Sequence, residues 1–476
     1  MITDDVLFSS VRSLGDAIRT RKLSPVELTE AYLKRLETIG PKLNAVVTVT
    51  RDLALAQAKA AEKEISAGKY RGPLHGIPYG AKDAFATKGI KTTWGTAPYR
   101  DQVFDYDATI VTRLAEAGAV LIGKLAMVEL VGGLGYNTAD ASFTGPGRTP
   151  WNPDYFSGGS SSGPAAATSA ALVAFSVGGE TGGSIVQPSA NCGLSGMRTT
   201  YGRVSRHGAA TLCWTLDKIG PICRSAEDCG LVLDAIAGYD KMDPATSRRK
   251  FRYTGRVART RKFKVGVVNG SYERAQAEVR ANFEKSVEAM AKFAEIEHVN
   301  FPDYPYGAIL STILYSEGTA AFRELVDTGR MRQMQNHADR IGGYIGMTIS
   351  AVDYLQAQRV RKLARLAVDG LLSKYDALVG PTTTSVARRI EEPFNRPAQP
   401  ARGAGPAGPQ TVALVPAGNI AGVPAITVPN GFGENRLPTS LQFLGASWSE
   451  ATLIAVADAY QQATDWHTRR PPMSNL

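Results

Sequence analysis

The chain has 476 residues, of which 43% are hydrophobic and 21% charged, and its 54 Lys and Arg against 44 Asp and Glu give a formal charge of +10. This composition excludes a disordered, collagen-like or low-complexity polymer and predicts a globular protein with a large core. The positive charge leaves an acidic or nucleic-acid partner open. The first residues, MITDDVLFSS, include two acids and no apolar run, so we expect no targeting segment and a cytoplasmic location.

The elements, taken in chain order, predict an α/β fold. After Ser24, the segment PVELTEAYLKRLETI has Pro at the first helical position and apolar residues at helical spacing, and residues 53–67 continue as an Ala-rich helix. Residues 108–117 predict a helix that Gly118 ends, just before an apolar strand at 120–123. Further short apolar strands are predicted at 264–268, 376–380, 425–429 and 440–445. Such strands among many helices indicate a mostly buried sheet.

The middle of the chain is almost free of charge. Residues 155–179 contain no charged side chain, a length that could span a bilayer, but six Ser, five Gly and one Pro predict a packed interior instead. The wider segment 157–203 has ten Gly and nine Ser, yet it contains PAAATSAALVAF, a predicted buried helix that a linker would lack. We therefore predict a buried site rich in backbone groups. Residues 397–409, PAQPARGAGPAGP, are predicted to form an exposed loop.

The cysteines do not form a metal-binding or disulfide pattern. All four fall between residues 192 and 229, with no C-x-x-C pair, and they are Cys192, Cys213, Cys223 and Cys229. This spacing predicts buried, reduced thiols.

Two Gly-rich motifs carry candidate chemistry. Residues 159–163 match the G-x-S-x-G nucleophile elbow, but WNPDYFS precedes them instead of an apolar strand, so we reject that interpretation. Residues 178–184, GGETGGS, lack the spacing of a P-loop or a dinucleotide-binding loop. They place backbone N–H groups beside a hydroxyl, as an oxyanion hole requires, although a Gly-rich turn alone is more often only a turn.

A third candidate is Lys82 in the segment GIPYGAKD. Small and apolar neighbours would lower the pKa of this lysine and supply a neutral amine as a base. On local sequence alone, an exposed lysine paired with Asp83 is the simpler interpretation.

Together, and in this order, the motifs resemble the amidase signature family: G-I-P-x-x-x-K-D, then G-G-S-S-[GS]-G, then T-G-G-S-I, C-G-x-x-G and Y-G-R-V-S-R. The resemblance covers nearly the whole chain, and it continues through residues 216–238, 375–383, 418–429 and 463–471. It implies an α/β/α sandwich in which a large mixed central sheet is covered by helices on both faces.

The resemblance also implies a Ser-Ser-Lys triad. Ser184 corresponds to the nucleophile, Ser160 to a bridging serine held by a cis peptide bond, and Lys82 to the base. The oxyanion would be held by the N–H groups of Thr181, Gly182 and Gly183. The implied chemistry is amide hydrolysis through an acyl-enzyme, without a metal or an organic cofactor.

The chain departs from the family pattern beside the nucleophile. Where the family often has G-T-D-T-G-G-S-I-R, this chain has Glu180 for Asp and Val186 for Arg. We expect a longer carboxylate to be accommodated and one buried positive partner to be lost, which affects the substrate more than the reaction.

The substrate class follows from a second comparison within the family. In the glutaminase subunit of the glutamyl-tRNA amidotransferase, an acidic residue a few positions before the N-[LI]-A-G motif helps to recognise a free amino acid. Here the preceding residues 411–418, TVALVPAG, are apolar. We therefore favour a small-molecule amidase that releases an acid and ammonia or an amine from an acyl or aryl amide, an anilide or a carbamate. Candidate pocket walls, each more often plain core, are Met127, Leu134, Tyr136 and Trp214.

Two alternatives stay open at this point. One is the glutaminase subunit of a glutamyl-tRNA amidotransferase, and the other is a non-enzymatic basic binding protein on the same fold. Residues 248–264 hold nine Lys and Arg and no acid, and the rest of the chain is nearly neutral. The charge therefore indicates a solvated linker more than a nucleic-acid binder.

We predict one amidase domain over residues 1–476, with a small-molecule amide as its partner. Within it, residues 1–70 form a helical part, 71–240 the signature core, 241–264 a basic surface linker and 265–476 the rest of the sheet and its helices. We expect no nucleic acid and no membrane, and we leave a homo-oligomer open.

Overall fold

The computed structural model describes residues 2–255, 261–394 and 414–473. Within these ranges eleven strands form a single sheet: β1 (Val46–Val49), β2 (Pro78–Lys82), β3 (Val120–Leu125), β4 (Phe175–Glu180), β5 (Ser195–Arg198), β6 (Lys218–Cys223), β7 (Phe263–Val268), β8 (Ala294–Val299), β9 (Ala377–Pro381), β10 (Ala425–Phe432) and β11 (Pro438–Leu444). Their spatial order is β1-β3-β2-β4-β6-β5-β10-β11-β9-β7-β8.

Fifteen α-helices accompany the sheet in the described part of the chain. They are α1 (Asp4–Leu7), α2 (Val11–Arg19), α3 (Pro25–Ile39), α4 (Arg51–Ser66), α5 (Thr109–Glu116), α6 (Ser162–Ser169), α7 (Val186–Asn191), α8 (Ala226–Ile236), α9 (Ala277–Met290), α10 (Tyr306–Ala321), α11 (Arg323–Asp327), α12 (Asp339–Met347), α13 (Ala351–Leu372), α14 (Leu414–Ala421) and α15 (Glu450–Ala463).

The sheet is mixed and lies inside the molecule. Strand β2 runs parallel to β3 and β4, and β7 runs parallel to β8 and β9, whereas the pairs from β4 through β6, β5, β10 and β11 to β9 are antiparallel. Every residue of β3, β6, β9 and β11 is buried. Because side chains alternate between the two faces of a strand, continuous burial requires cover on both faces. The predicted α/β fold with a large covered mixed sheet is confirmed.

Most of the predicted elements are present. Helix α3 begins after Ser24, whose hydroxyl accepts hydrogen bonds from the N–H groups of Val26 and Glu27, and α4, α5 and β3 lie where their patterns predicted them. The four later strands are β7, β9, β10 and β11. The buried helix predicted in residues 164–175 is shorter than its apolar run, because α6 ends at Ser169 and β4 starts at Phe175. The apolar run therefore contributes residues to both α6 and β4, which are both buried.

The charge-free stretch and the cysteines are also explained by the packing. No helix among the described residues is both long and apolar enough to cross a bilayer, and α6 is buried along its whole length. The four cysteines are free and buried, as predicted.

The basic segment is tied to the sheet at its end. Strand β7 begins at the buried residue Phe263, one residue before the predicted end of the linker. Arg261 pairs with Asp376 at 2.7 Å and Lys264 with Glu297 at 3.0 Å. Residues 256–260 of this segment, and the predicted loop at 397–409, lie outside the described residues.

Candidate active site

Three parts of the chain that are distant in sequence meet at the carboxyl ends of β2 and β4. Lys82 is the last residue of β2, and the parallel neighbour β4 ends at Glu180, so the loop that carries Ser184 starts beside Lys82. Ser160 lies just before α6, and the peptide bond between Gly159 and Ser160 is cis. The parallel pairing of β2 and β4 therefore brings the three motifs together.

The lysine contacts the first serine directly. Lys82 Nζ donates a 2.8 Å hydrogen bond to Ser160 Oγ and a 3.3 Å hydrogen bond to the carbonyl oxygen of Gly179. Lys82 is fully buried, and burial lowers its pKa to about 7, although the Asp217 and Glu180 carboxylates act in the opposite direction. A large fraction of neutral amine is therefore present at neutral pH.

The loop of Ser184 is joined to the loop of Ser160. The N–H of Ser161 donates to the carbonyl oxygen of Ser184 at 3.3 Å, and the Ser161 hydroxyl donates to the carbonyl oxygen of Gly179 at 3.2 Å. Ser160 is 1% exposed, whereas Ser184 is half-buried. Ser184 is thus the more accessible of the two hydroxyl groups.

The carboxylate of Glu180 holds the loop of Ser184 through hydrogen bonds to its backbone. Its Oε2 accepts hydrogen bonds from the N–H groups of Ile185 and Val186 at 2.8 and 3.0 Å, and its Oε1 accepts from Asn419 at 2.8 Å and Arg198 at 3.2 Å. Burial opposes ionisation, but the positive charges of Arg198 and Lys218 and these hydrogen bonds lower the pKa of Glu180. A longer carboxylate is therefore accommodated.

Glu180 has a buried positive partner on another strand. Val186 does replace the family's Arg, but the guanidinium of Arg198 on β5 pairs with Glu180, and both side chains are fully buried. The sequence offered no signal for this pair, because it depends on the neighbouring positions of β4, β6 and β5 in the sheet.

The Gly-rich turn is crowded on its outer side. Thr181 donates its hydroxyl hydrogen to Asp217 at 2.5 Å. Gly183 has φ +140°, and a Cβ there would lie 2.8 Å from Gln187 Cδ and 2.9 Å from Val415 Cγ1. A Cβ on Gly182 would lie 3.2 Å from Leu310 Cδ2. The turn requires glycine at position 183 and is bordered by apolar side chains of α10 and α14.

The predicted pocket residues separate into three kinds. Met127 and Leu134 are fully buried in the core. The Tyr136 hydroxyl lies 3.1 Å from the Cβ position of Gly159, beside the cis peptide. Trp214 is 59% exposed and lines a surface groove of about 550 Å³ with other aromatic residues. Of these four residues, Tyr136 is the one that lies beside Gly159, the residue before Ser160.

Sequence reasoning missed Leu310, Val415 and Asp217 as neighbours of the turn. Asp217 lies in the segment LDKIGP, within a stretch that resembles the family, so its motif was a usable signal, whereas Val415 lies three residues before the stretch 418–429. Leu310 lies in an apolar helix with no motif, and nothing in its local pattern distinguishes it from core.

Comparisons with known proteins identify the family of the chain. A family model described as Amidase matches residues 27–454. A glutamyl-tRNA(Gln) amidotransferase subunit from Geobacter metallireducens is 34% identical over 97% of this chain and 98% of its own length.

Two solved structures share the whole fold. The peptide amidase of Stenotrophomonas maltophilia has a TM-score of 0.83 and 29% identity, with 98% of each chain covered. A bacterial aryl acylamidase of the amidase signature family has a TM-score of 0.85 and 25% identity, with 97% of each chain covered. The Ser-Ser-Lys triad is characteristic of this family. The chain therefore belongs to the amidase signature family and is a hydrolase that acts on amide C–N bonds.

Proposed function

We propose that this chain hydrolyses a small-molecule carboxylic amide through an acyl-enzyme on Ser184, with Ser160 as the bridging hydroxyl and Lys82 as the base. The observation that carries this proposal is the 2.8 Å hydrogen bond between Lys82 Nζ and Ser160 Oγ in a fully buried setting. A lysine with a pKa of about 7 can accept a proton at neutral pH.

The proton path follows the order of the three residues. Neutral Lys82 takes the proton of Ser160, which takes the proton of Ser184, and the Ser184 oxygen attacks the amide carbonyl carbon. The proton then returns through Ser160 to the departing nitrogen as the C–N bond breaks, and water hydrolyses the resulting ester. The products are a carboxylic acid and ammonia or an amine.

The oxyanion is assigned to the N–H groups of Thr181, Gly182 and Gly183. In the described part of the chain, no residue accepts a hydrogen bond from the N–H of Gly182 or Gly183. The carbonyl oxygen of Gly183 accepts the N–H of Gln187 at 2.9 Å, and the Glu180 carboxylate holds the start of α7. The donors are thus fixed before substrate arrives, which is the property that stabilises a developing oxyanion.

The border of the turn favours an apolar substrate group. Leu310 and Val415 face Gly182 and Gly183, and the apolar residues Leu414 and Val415 begin α14, where a carboxylate that recognises a free amino acid would be expected. We therefore assign acyl or aryl amides, with anilides and carbamates in the same chemical class. The two structural relatives, described as a peptide amidase and an aryl acylamidase, support an amide as the substrate.

The test is a panel of aryl amides, aliphatic amides, anilides, carbamates and glutamine, with product analysis by mass spectrometry. We expect Ser184→Ala to lower kcat at least about a thousandfold, and intact-mass measurement of quenched wild-type enzyme to show an acyl adduct on Ser184. Ser189→Ala is the matched control, because the hydroxyl of this nearby buried serine has no hydrogen-bond partner among the described residues. Undiminished hydrolysis by Ser184→Ala would contradict the assignment.

The second candidate function is glutamine hydrolysis as the glutaminase subunit of a glutamyl-tRNA amidotransferase. It is favoured by the curated amidotransferase relative, which matches 97% of this chain. Release of ammonia from glutamine only after other subunits are added would establish it. Hydrolysis of aryl or acyl amides by the isolated chain, with no ammonia released from glutamine even in the presence of those subunits, would exclude it.

A further inference from the structure

Helix α12 has its small residues inside and its large residues outside. A Cβ built on Gly342 would overlap the carbonyl oxygen of Leu134, and one built on Gly346 would overlap Thr319 Oγ1, so the glycines pack against the body. The apolar side chains of the helix point outward and are between 44% and 53% exposed, and they are Ile341, Tyr344, Ile345 and Met347. An ordinary surface helix has the reverse arrangement, with its large apolar residues toward the core.

Helix α13, which follows α12 after a three-residue connection, carries an exposed apolar stripe of its own. One side of the helix is buried through Ala357, Ala364, Val368 and Leu372. The other side exposes Val352 (74%), Leu355 (60%), Leu363 (56%) and Leu366 (60%). At 3.6 residues per turn, these positions form a single stripe along the helix. A helix that is apolar on two sides is normally covered on both.

We call the eight exposed side chains of α12 and α13 the outer face. Each of the eight side chains is between 44% and 74% exposed, and together they expose on the order of several hundred Å² of apolar surface on two successive helices. Such a surface marks a contact with a partner.

Charge identifies the kind of partner. Arg359 lies in the middle of the stripe between Leu355 and Leu363, and Lys362 lies beside it, both exposed. Neither forms an ion pair with a described residue, whereas the nearby Arg365 pairs with Asp369 at 3.6 Å. A surface with a free cation at its centre is complementary to an apolar surface that carries a carboxylate at the matching place.

The same cations make two other occupants less suitable. If α13 packed antiparallel against α13 of a second copy, the near-symmetry of Leu355 and Leu363 about Arg359 would bring two guanidinium groups together. If the helix lay on a membrane, the charges would be expected on the flanks of the apolar stripe and not at its centre.

We propose that the outer face binds an amphipathic helix of an acidic protein partner. The apolar stripe of that helix packs on Leu355, Leu363 and the outer residues of α12, and its carboxylates face Arg359 and Lys362. This is the helix-on-helix mode of recognition, with anchors three and four residues apart. The proposal does not depend on the amide chemistry of Ser184.

The probe is a labelled, stapled helical peptide of 21 residues with leucines on one stripe and glutamates beside it. The control peptide has the same sequence with lysine at every glutamate position. By fluorescence anisotropy at 0.1 M salt, we expect the glutamate peptide to bind at least about tenfold more tightly than the lysine peptide. The double variant Leu355→Glu, Leu363→Glu should lose this binding, and Arg359→Glu, Lys362→Glu should reverse the preference between the peptides.

Leu53→Glu is the matched control, because Leu53 is an exposed leucine on α4, outside the outer face. It should bind the glutamate peptide like the wild type, and all variants should keep the far-UV circular dichroism and the amidase activity of the wild type. Equal binding of both peptides, or none at 100 μM, overturns the proposal. A sedimenting dimer lost in Leu355→Glu, Leu363→Glu would assign the face to a second copy. Binding to phosphatidylserine vesicles lost in the same variant would assign it to a membrane.

Discussion

Glu180 and Arg198 form an ion pair in which both side chains are fully buried, with 3.2 Å between Oε1 and Nη1. The other carboxylate oxygen of Glu180 holds the N–H groups of Ile185 and Val186, directly after Ser184. The pair therefore connects β5 to the loop that carries Ser184. A substitution of Arg198 should alter both the stability of the protein and the position of that loop.

Replacing Arg198 with methionine should be strongly destabilising. The substitution leaves a buried carboxylate without its principal positive partner, and breaking a buried pair in this way costs about 3–5 kcal/mol of the free energy of unfolding. Urea unfolding followed by circular dichroism measures the change. Arg252→Met is the control. The Arg252 side chain is 82% exposed and its distance to Asp234 is long, 3.8 Å, so this ion pair is weak and its loss should change stability little. Similar losses in the two variants would contradict the role given to Arg198.

The activity should depend on the protonation of Lys82. Since the base must be neutral and burial lowers the pKa of Lys82 to about 7, kcat/KM should rise about tenfold per pH unit below that value and level off above it. Initial rates on an amide substrate between pH 5.5 and 9 test this. Lys82→Met should be inactive at every pH. A rate that is flat or falling between pH 6 and 8 would exclude the neutral lysine as the base.

The elements that the sequence predicted are those whose signal is local. The hydroxyl of Ser24 accepts hydrogen bonds from the first N–H groups of α3, and Gly118, with φ +81°, follows the end of α5, so pattern and structure agree there. The triad was available only through resemblance to a family, because Lys82 and Ser160 are 78 residues apart. Arg198 carried no signal, since its position opposite Glu180 follows from strand order, which no local pattern encodes.

The buried carboxyl group of Asp339 should be protonated in the folded protein. Asp339 is fully buried, and burial together with the neighbouring Glu129 raises its pKa well above its usual value. Glu129 accepts hydrogen bonds from the N–H groups of Gln335 and Asn336 and from the Thr96 hydroxyl, so the shared proton belongs on Asp339.

The sign of the pH dependence follows from that raised pKa. The contribution of Asp339 is fully present below the unfolded value of about 4 and is lost as the pH rises through the folded value. Asp339→Asn keeps a donor for Glu129 without the charge, so at pH 8 it should be about 1–3 kcal/mol more stable than the wild type. Urea unfolding at pH 6 and 8 measures this, with the exposed Asp105→Asn as control. A variant that is less stable than the wild type at pH 8 would show that Asp339 is ionised in the fold.

Two glycines in adjacent helices should respond to alanine in opposite directions. Gly342 in α12 has no room for a Cβ, because the carbonyl oxygen of Leu134 occupies that place, and the backbone of one element must move. Gly370 in α13 has nothing within 4 Å of its Cβ position. Gly342→Ala should therefore lower the free energy of unfolding by about 1–3 kcal/mol, whereas Gly370→Ala should raise it by up to about 1 kcal/mol, since alanine is the better helix former. Urea midpoints measured under the same conditions decide the matter. If Gly342→Ala were as stable as Gly370→Ala, the close packing of α12 on the loop of Leu134, and with it the outward direction of the apolar residues of α12, would be wrong.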